Sequence, residues 1–417
     1  MLKNPPALIH SHQLKNGLTV IVQQMPSVQS AAYSLMVPAG CMYDRAGRSG
    51  TASVLCELIP RGAGERNSRE LSSAQDFLGL HSRESVNVAH MKLSGAVLKD
   101  NLSKSLEILS DIVLRPHLDK AQFAPSQNSV LQSLRSLEDE PRQKVMIELR
   151  RRCLGLPFGL PVDGTPEEVR ALTYEDVRQQ YQSCFRPEES ILGIAGNVNP
   201  HQIVEEAESL FGDWEPGSPS ELQSAPPGPA RDHVTLESQQ TQIGLAYPSV
   251  SAVDPDYYTA WAAVSILSGG SSSRLFTEVR EKRGLCYAVY ASLNAMKESG
   301  HILCYAGTMS ERAQETLDVM LQEIHRLSQN ITPEELERCK AGAKSALIIQ
   351  EETSMARAGR IARDWYLRGR VISLDEIHER LDALTPQGIA EFVEAHPAQN
   401  LTLLTIGPKP LEISNGV

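Results

Sequence analysis

The sequence predicts an α+β protein of two homologous lobes, each an antiparallel sheet packed with helices. Three observations carry this prediction. Alternating apolar runs follow one another too closely for parallel crossovers: LTVIVQQM at 18–25 precedes AAYSLMVPAG at 31–40, and HVTLESQQ at 233–240 runs straight into TQIGLAYP at 241–248. The chain also repeats itself. Ala171-Leu172-Thr173 opens a helical stretch, TYEDVRQQYQSCF, and then a strand, ILGIAG, ending at Gly196. Half a chain later, Ala383-Leu384-Thr385 opens PQGIAEFVEA and then LTLLTIG, ending at Gly407. Between the copies, residues 215–230 read EPGSPSELQSAPPGPA, five prolines without apolar periodicity, the composition of a semi-rigid spacer. The expected organisation is a first lobe at 1–214, the linker at 215–230 and a second lobe at 231–417.

The remaining elements follow from periodicity. Residues 88–116 and 301–327 each begin with a period-2 run and continue into a 3.6-period stripe, so each reads as strand then helix. GTASVLCELIPRG at 50–62 reads as a short helix with a small-residue start, an apolar stripe and a basic end at Arg61. In the repeat it pairs with the helix opening near Tyr258, not with the region around Arg280.

At 417 residues the chain exceeds one typical domain, so two or more cores are expected. No apolar run approaches the ~20 residues needed to cross a bilayer, and the start lacks the pattern of a signal peptide or presequence. The net charge of −11 argues against a nucleic-acid partner. A cytoplasmic protein without a membrane partner is the expectation. The seven cysteines are scattered and form no C-x-x-C, so neither a disulfide framework nor a structural zinc site is indicated. Cys56, Cys286 and Cys304 lie in apolar runs and read as small core residues. His10 and His12 read as loop residues ahead of the first strand. The acidic groups Glu138 to Glu140 and Glu351-Glu352 read as solvated helix faces.

The helix at 50–62 is informative for what it lacks. A zinc-peptidase helix needs histidines at i and i+4, which share one face and one metal. In the inverted motif H-x-x-E-H, a glutamate just before the second histidine activates water. Those three places hold Ser53, Cys56 and Glu57. Ser53 and Glu57 share a helix face, but a hydroxyl is a poor zinc ligand. A self-sufficient site built from these residues is therefore the weakest reading. A G-x-S-x-G elbow is absent too, and Ser271-Ser272-Ser273 has no base nearby.

This stretch resembles the pitrilysin/insulinase family of zinc metallopeptidases, the inverted zincins, and the resemblance runs nearly end to end. It includes LKNGLTVIV from residue 14, GTPEEVRALTYEDVRQQYQSCFRPEESILGIAGNV, and SGGSSSRLFTEVREKRGLCYAVY at 268–290. The resemblance implies a third, glutamate ligand on a later helix. The matching run is Val130, Leu131, Gln132, Ser133, Leu134, with Gln132 and Ser133 in the acidic places. All three ligands and the base are thus replaced, and no metal is expected in this chain. The family's arginine and tyrosine, seven residues apart, match Arg280 and Tyr287. A guanidinium and a phenol suit a tetrahedral oxyanion and a substrate backbone. The plainer reading makes Glu278, Arg280, Glu281, Lys282 and Arg283 a solvated face of ordinary charge pairs.

What the resemblance implies is half of a clamshell, acting as the non-zinc-binding subunit of a heterodimeric metallopeptidase. Arg280 and Tyr287 would act in trans at the zinc site of a homologous H-x-x-E-H subunit, on a peptide bound as an added strand. The chain alone would be inactive, and in isolation it could pair with itself. The alternative is a catalytically inert scaffold or peptide-binding protein of the same fold. Family members of that kind tend to lose the arginine–tyrosine pair, which this chain keeps.

Overall fold

Apolar alternation and helix caps set out two sheets with helices, and the computed structural model describes residues 9–217 and 222–413. Four residues of the expected linker, 218–221, thus lie outside the described residues. The chain divides into two units. Unit 1 comprises residues 1–136, 156–225 and 349–371, and unit 2 comprises 137–155, 226–348 and 372–417.

Unit 1 holds strands β1 (Ile9–Gln13), β2 (Thr19–Gln24), β3 (Ser30–Val37), β4 (Gly62–Ala63), β5 (Arg66–Asn67), β6 (His81–Val86), β7 (Met91–Leu98) and β8 (Ile191–Gly196). Its main sheet has the order β1-β2-β8-β3-β7-β6, and β4 and β5 pair separately. Unit 2 holds β9 (Arg231–Thr235), β10 (Gln240–Ser249), β11 (Cys286–Ala295), β12 (Gly300–Met309) and β13 (Thr402–Gly407), in the order β11-β12-β10-β13-β9. Setting β1 aside, the two orders superpose strand for strand, with β6 and β11 as equivalent edges. The internal repeat is therefore a repeat of topology. Pairing is mainly antiparallel, but β2 with β8 and β9 with β13 are parallel. These pairs arise because the last strand of each copy returns through helices, which close-coupled hairpins in the sequence do not reveal. His10 and His12 lie on β1, not ahead of the first strand.

Two helices lie in the unit opposite to their sequence half. Pro141–Cys153, with proline at its first turn, belongs to unit 2 and covers Gly244 of β10, where a Cβ would stand 3.3 Å from Val145 and Leu149. Ser354–Arg368 belongs to unit 1 and lies over Gly193 of β8, where a Cβ would meet the Ala358 carbonyl at 2.5 Å. Each crossing helix thus sits where a central strand lacks a side chain, and bulk at either glycine would push it off. Thr353 caps the second helix by accepting from the Ala356 N–H, and left-handed Gly369 ends it. Glu351, ahead of that helix, is buried and ion-paired with Arg357 and Arg360, which corrects its reading as a solvated face. Glu138 to Glu140 are exposed.

The core of unit 1 gathers Val20, Val22, Leu35, Leu55, Leu58, Leu106, Leu192 and Phe211, and that of unit 2 gathers Ile243, Leu245, Val279, Cys304 and Leu317. Full burial of each large apolar side chain contributes ~1.5–3 kcal/mol. Among the described residues, no helix is long and apolar enough to cross a membrane.

Candidate functional site

The metal-type helix, Thr51–Leu58, is anchored from its N-terminus. Gly50 takes φ 88°, and the buried Asp44 carboxylate accepts from the Gly50 N–H at 2.7 Å and the Ala52 N–H at 2.9 Å. Gln180 adds a longer contact to Asp44 at 3.4 Å. Burial pushes the Asp44 carboxyl up to about 8, against the pull of these N–H donors. On the helix, Ser53 is buried, and its hydroxyl donates to Asp163 Oδ1 at 2.9 Å, with the Val162 carbonyl a second acceptor at 3.0 Å. Cys56 is half-buried. Burial first, then the negative charges of Glu84, Glu57 and Asp163, push its thiol up to about 12. A protonated thiol is neither nucleophile nor ready ligand. Glu57 turns outward to Arg61, whose Nε donates to the Glu57 carbonyl at 2.9 Å.

Gln132 and Ser133 lie exposed on the helix Lys120–Glu138. Among the described residues, neither makes a hydrogen bond or ion pair with Ser53, Cys56 or Glu57. No group of three or more His, Cys, Asp or Glu there is placed to hold a metal. Two hydroxyls, a high-pKa thiol and one outward carboxylate do not fit zinc. Asp44, Glu84 and Asp163 went unnoticed in the sequence, because each comes from a separate loop or strand and carries no motif.

The Arg280 region is built differently. Residues Phe276–Glu281 form a π-type turn, closed by the Lys282 N–H donating to the Thr277 carbonyl at 2.9 Å. Gly284 at φ 59° turns the chain into β11, and Arg312 Nη1 pins that turn through the Gly284 carbonyl at 2.9 Å. The β11–β12 register shifts between Cys286 and Ala288, which leaves Tyr287 as the bulged residue. A bulge re-aims its side chain, and Tyr287 is 57% exposed at the sheet edge. Its hydroxyl rests on Met309 Sδ at 3.0 Å. Arg280 is exposed, with its guanidinium 4.9 Å from the centroid of the Phe276 ring.

The charge pairs of the plainer reading exist, but Arg280 stands outside them. Glu278 takes Lys282 and Arg283, whose hydrogen bonds hold its carboxyl below the usual range. Among the described residues, Arg280 makes no ion pair or side-chain hydrogen bond. Arg280 also lies close enough to Cys286 to oppose the burial that pushes that thiol up to about 11. The Arg280 N–H donors thus face only a ring, and the Tyr287 O–H donates only to a thioether, a weak acceptor.

The model of the insulinase family (peptidase family M16) matches residues 19–154, and that of the peptidase M16 inactive domain matches 171–343. The chain is 28% identical over 402 residues to an uncharacterized zinc protease of Rickettsia bellii, covering 96% of this chain and 97% of that one. It is 23% identical to the uncharacterized zinc protease YmxG of Bacillus subtilis, covering 96% and 98%. In fold it is similar to a peptidase M16 inactive domain from Pseudomonas fluorescens, with TM-score 0.87, 20% identity and coverage of 97% and 100%. A protease from Helicobacter pylori gives TM-score 0.85 at 19% identity, with the same coverage.

Proposed function

The chain belongs to the insulinase family of peptidases, peptidase family M16, and from that premise we propose that it is the non-zinc-binding subunit of a heterodimeric metallopeptidase. The observation that carries this reading is the contrast between its two sites: Ser53, Cys56 and Glu57 stand in the places of H-x-x-E-H on the Thr51–Leu58 helix, while Arg280 stands exposed with uncommitted donors near Tyr287, whose O–H meets only a thioether. Zinc belongs to the homologous H-x-x-E-H subunit, where it supplies the metal-activated water chemistry. Arg280 holds the backbone carbonyl of the bound peptide, and the Tyr287 O–H donates to the oxyanion that forms on it. The substrate is a short or unfolded peptide held as an added strand, and the complex works in the cytoplasm.

The test is a quenched-peptide assay of this chain alone, the H-x-x-E-H subunit alone, and the mixture. Hydrolysis in the mixture alone, abolished by a chelator, is the expected result. Chelator-sensitive hydrolysis by this chain alone would show that the Thr51–Leu58 helix has been misread. A complex that forms without hydrolysing anything would favour the scaffold.

A further inference from the structure

The face of the unit 1 sheet under the crossing helix Ser354–Arg368 carries charges that the fold leaves uncompensated. Lys92 on β7 is half-buried and points at this helix: a Cβ on Gly359 would stand 3.2 Å from its Nζ. Ser85 of the edge strand β6 is its cross-strand partner, so Arg83 sits diagonally on the same face. That diagonal is within reach of long side chains. Burial first, then the Arg83 charge, depresses the Lys92 pKa. A neighbouring carboxylate would act in the other direction. On the helix, Arg363 follows Gly359 by one turn and precedes Tyr366, which packs edge-on against His90 at the start of β7. Four residues after Gly359, Arg363 lies on the same side of the helix and is exposed.

Among the described residues, none of Arg83, Lys92 and Arg363 has an ion-pair or side-chain hydrogen-bond partner. Two acids of the crossing segment are committed elsewhere: Glu351 to Arg357 and Arg360, and Asp364 to Arg360 and Arg368. Of these cations, Arg83 and Arg363 are exposed, so the desolvation cost falls on the half-buried Lys92, and an anion beside it would offset that cost. They border β6, whose outer backbone is a free edge equivalent to that of β11.

We propose that Arg83, Lys92 and Arg363 form a carboxylate-binding site that receives an acidic group of a peptide laid along the free edge of β6. This deepens the peptide-binding reading above and rests on it. Guanidinium groups suit the two oxygens of a carboxylate, and Lys92 adds a point charge from beneath. The carboxylate is either the C-terminus of the peptide or an acidic side chain within it.

Fluorescence anisotropy of labelled extended peptides on the intact chain tests the site and separates the two sources. One pair of peptides differs only in a C-terminal acid or amide, and the other only in an internal Glu or Gln. The acidic member of one pair should bind more tightly, and Lys92→Met should weaken it about tenfold while leaving the neutral member unchanged. Lys92→Arg should keep the preference. Lys92→Met should also melt no lower than the parent, since it removes an unpaired, half-buried charge; a merely structural lysine would lower the melting point. Equal binding within both pairs, or a preference untouched by Lys92→Met and Arg83→Met, would overturn the site and leave peptide binding standing. Failure of every peptide to bind would overturn both.

Discussion

The Thr51–Leu58 helix of unit 1 and the Phe276–Tyr287 segment of unit 2 began as candidate chemical sites and ended in opposite physical states. In the first, two polar groups are turned back into the fold, with Ser53 bonded to Asp163 and Asp44 capping the helix, while Glu57 turns outward to Arg61. In the second, a π-type turn and a bulge push two long side chains outward onto a phenyl ring and a thioether. Ser53 and Asp44 spend their hydrogen bonds within the fold, whereas Arg280 and Tyr287 meet only a ring and a weak thioether acceptor.

The largest expected effect follows directly from that contrast. In the reconstituted complex, Arg280→Ala should lower kcat/KM about 10²–10³-fold, the scale of losing one oxyanion donor, with pairing unchanged by size-exclusion chromatography. Tyr287→Phe should cost less, on the order of tenfold to a hundredfold, and mainly in kcat. On the other side of the comparison, Ser53→Ala should leave the rate alone and cost about 1 kcal/mol in a denaturant titration, because it breaks a structural hydrogen bond. If it changed the rate instead, the helix would not be silent. Ser53→His should recover no stoichiometric zinc by metal analysis, since the remaining ligands and the base are still missing.

Asp44 gives a pH test of how firmly the silent helix is built in. Its folded pKa of about 8 lies above the unfolded value of roughly 3.9, so the native state holds the proton more tightly between these values. The contribution of this group is complete below the unfolded pKa and is lost as pH rises towards 8. Melting points measured across that window should fall less steeply in Asp44→Asn than in the parent chain. The smallest effect belongs to the soft partners: Met309→Leu removes the acceptor that steadies the Tyr287 hydroxyl, and a severalfold loss in kcat with KM unchanged is expected.

Much of the fold was legible because it rests on local patterns. The β2 and β3 runs, the linked strand and helix at 301–327, and the matched endings at Gly196 and Gly407 all showed their period or their caps in the sequence. The exchange of Pro141–Cys153 and Ser354–Arg368 between units was not legible, because helical periodicity says that a face is buried and not against which sheet. The parallel pairs were hidden for the same reason. At the sites, the spacing of Arg280 and Tyr287 was visible, but the bulge that exposes Tyr287 depends on a register between β11 and β12 that no single strand encodes. Glu351 looked solvated because its partners, Arg357 and Arg360, lie one and two turns into a helix whose buried face could not be assigned.

The central claim is that this chain lends chemistry to its partner, and the most direct measurement is a titration. The H-x-x-E-H subunit is held at fixed concentration while either the parent chain or the Arg280→Ala/Tyr287→Phe double variant is added, with binding and peptide hydrolysis followed together. The account predicts that both chains bind to saturation and that only the parent brings hydrolysis with it. Equal hydrolysis from the double variant would contradict it, and would make this chain a scaffold for a site complete without its arginine and tyrosine.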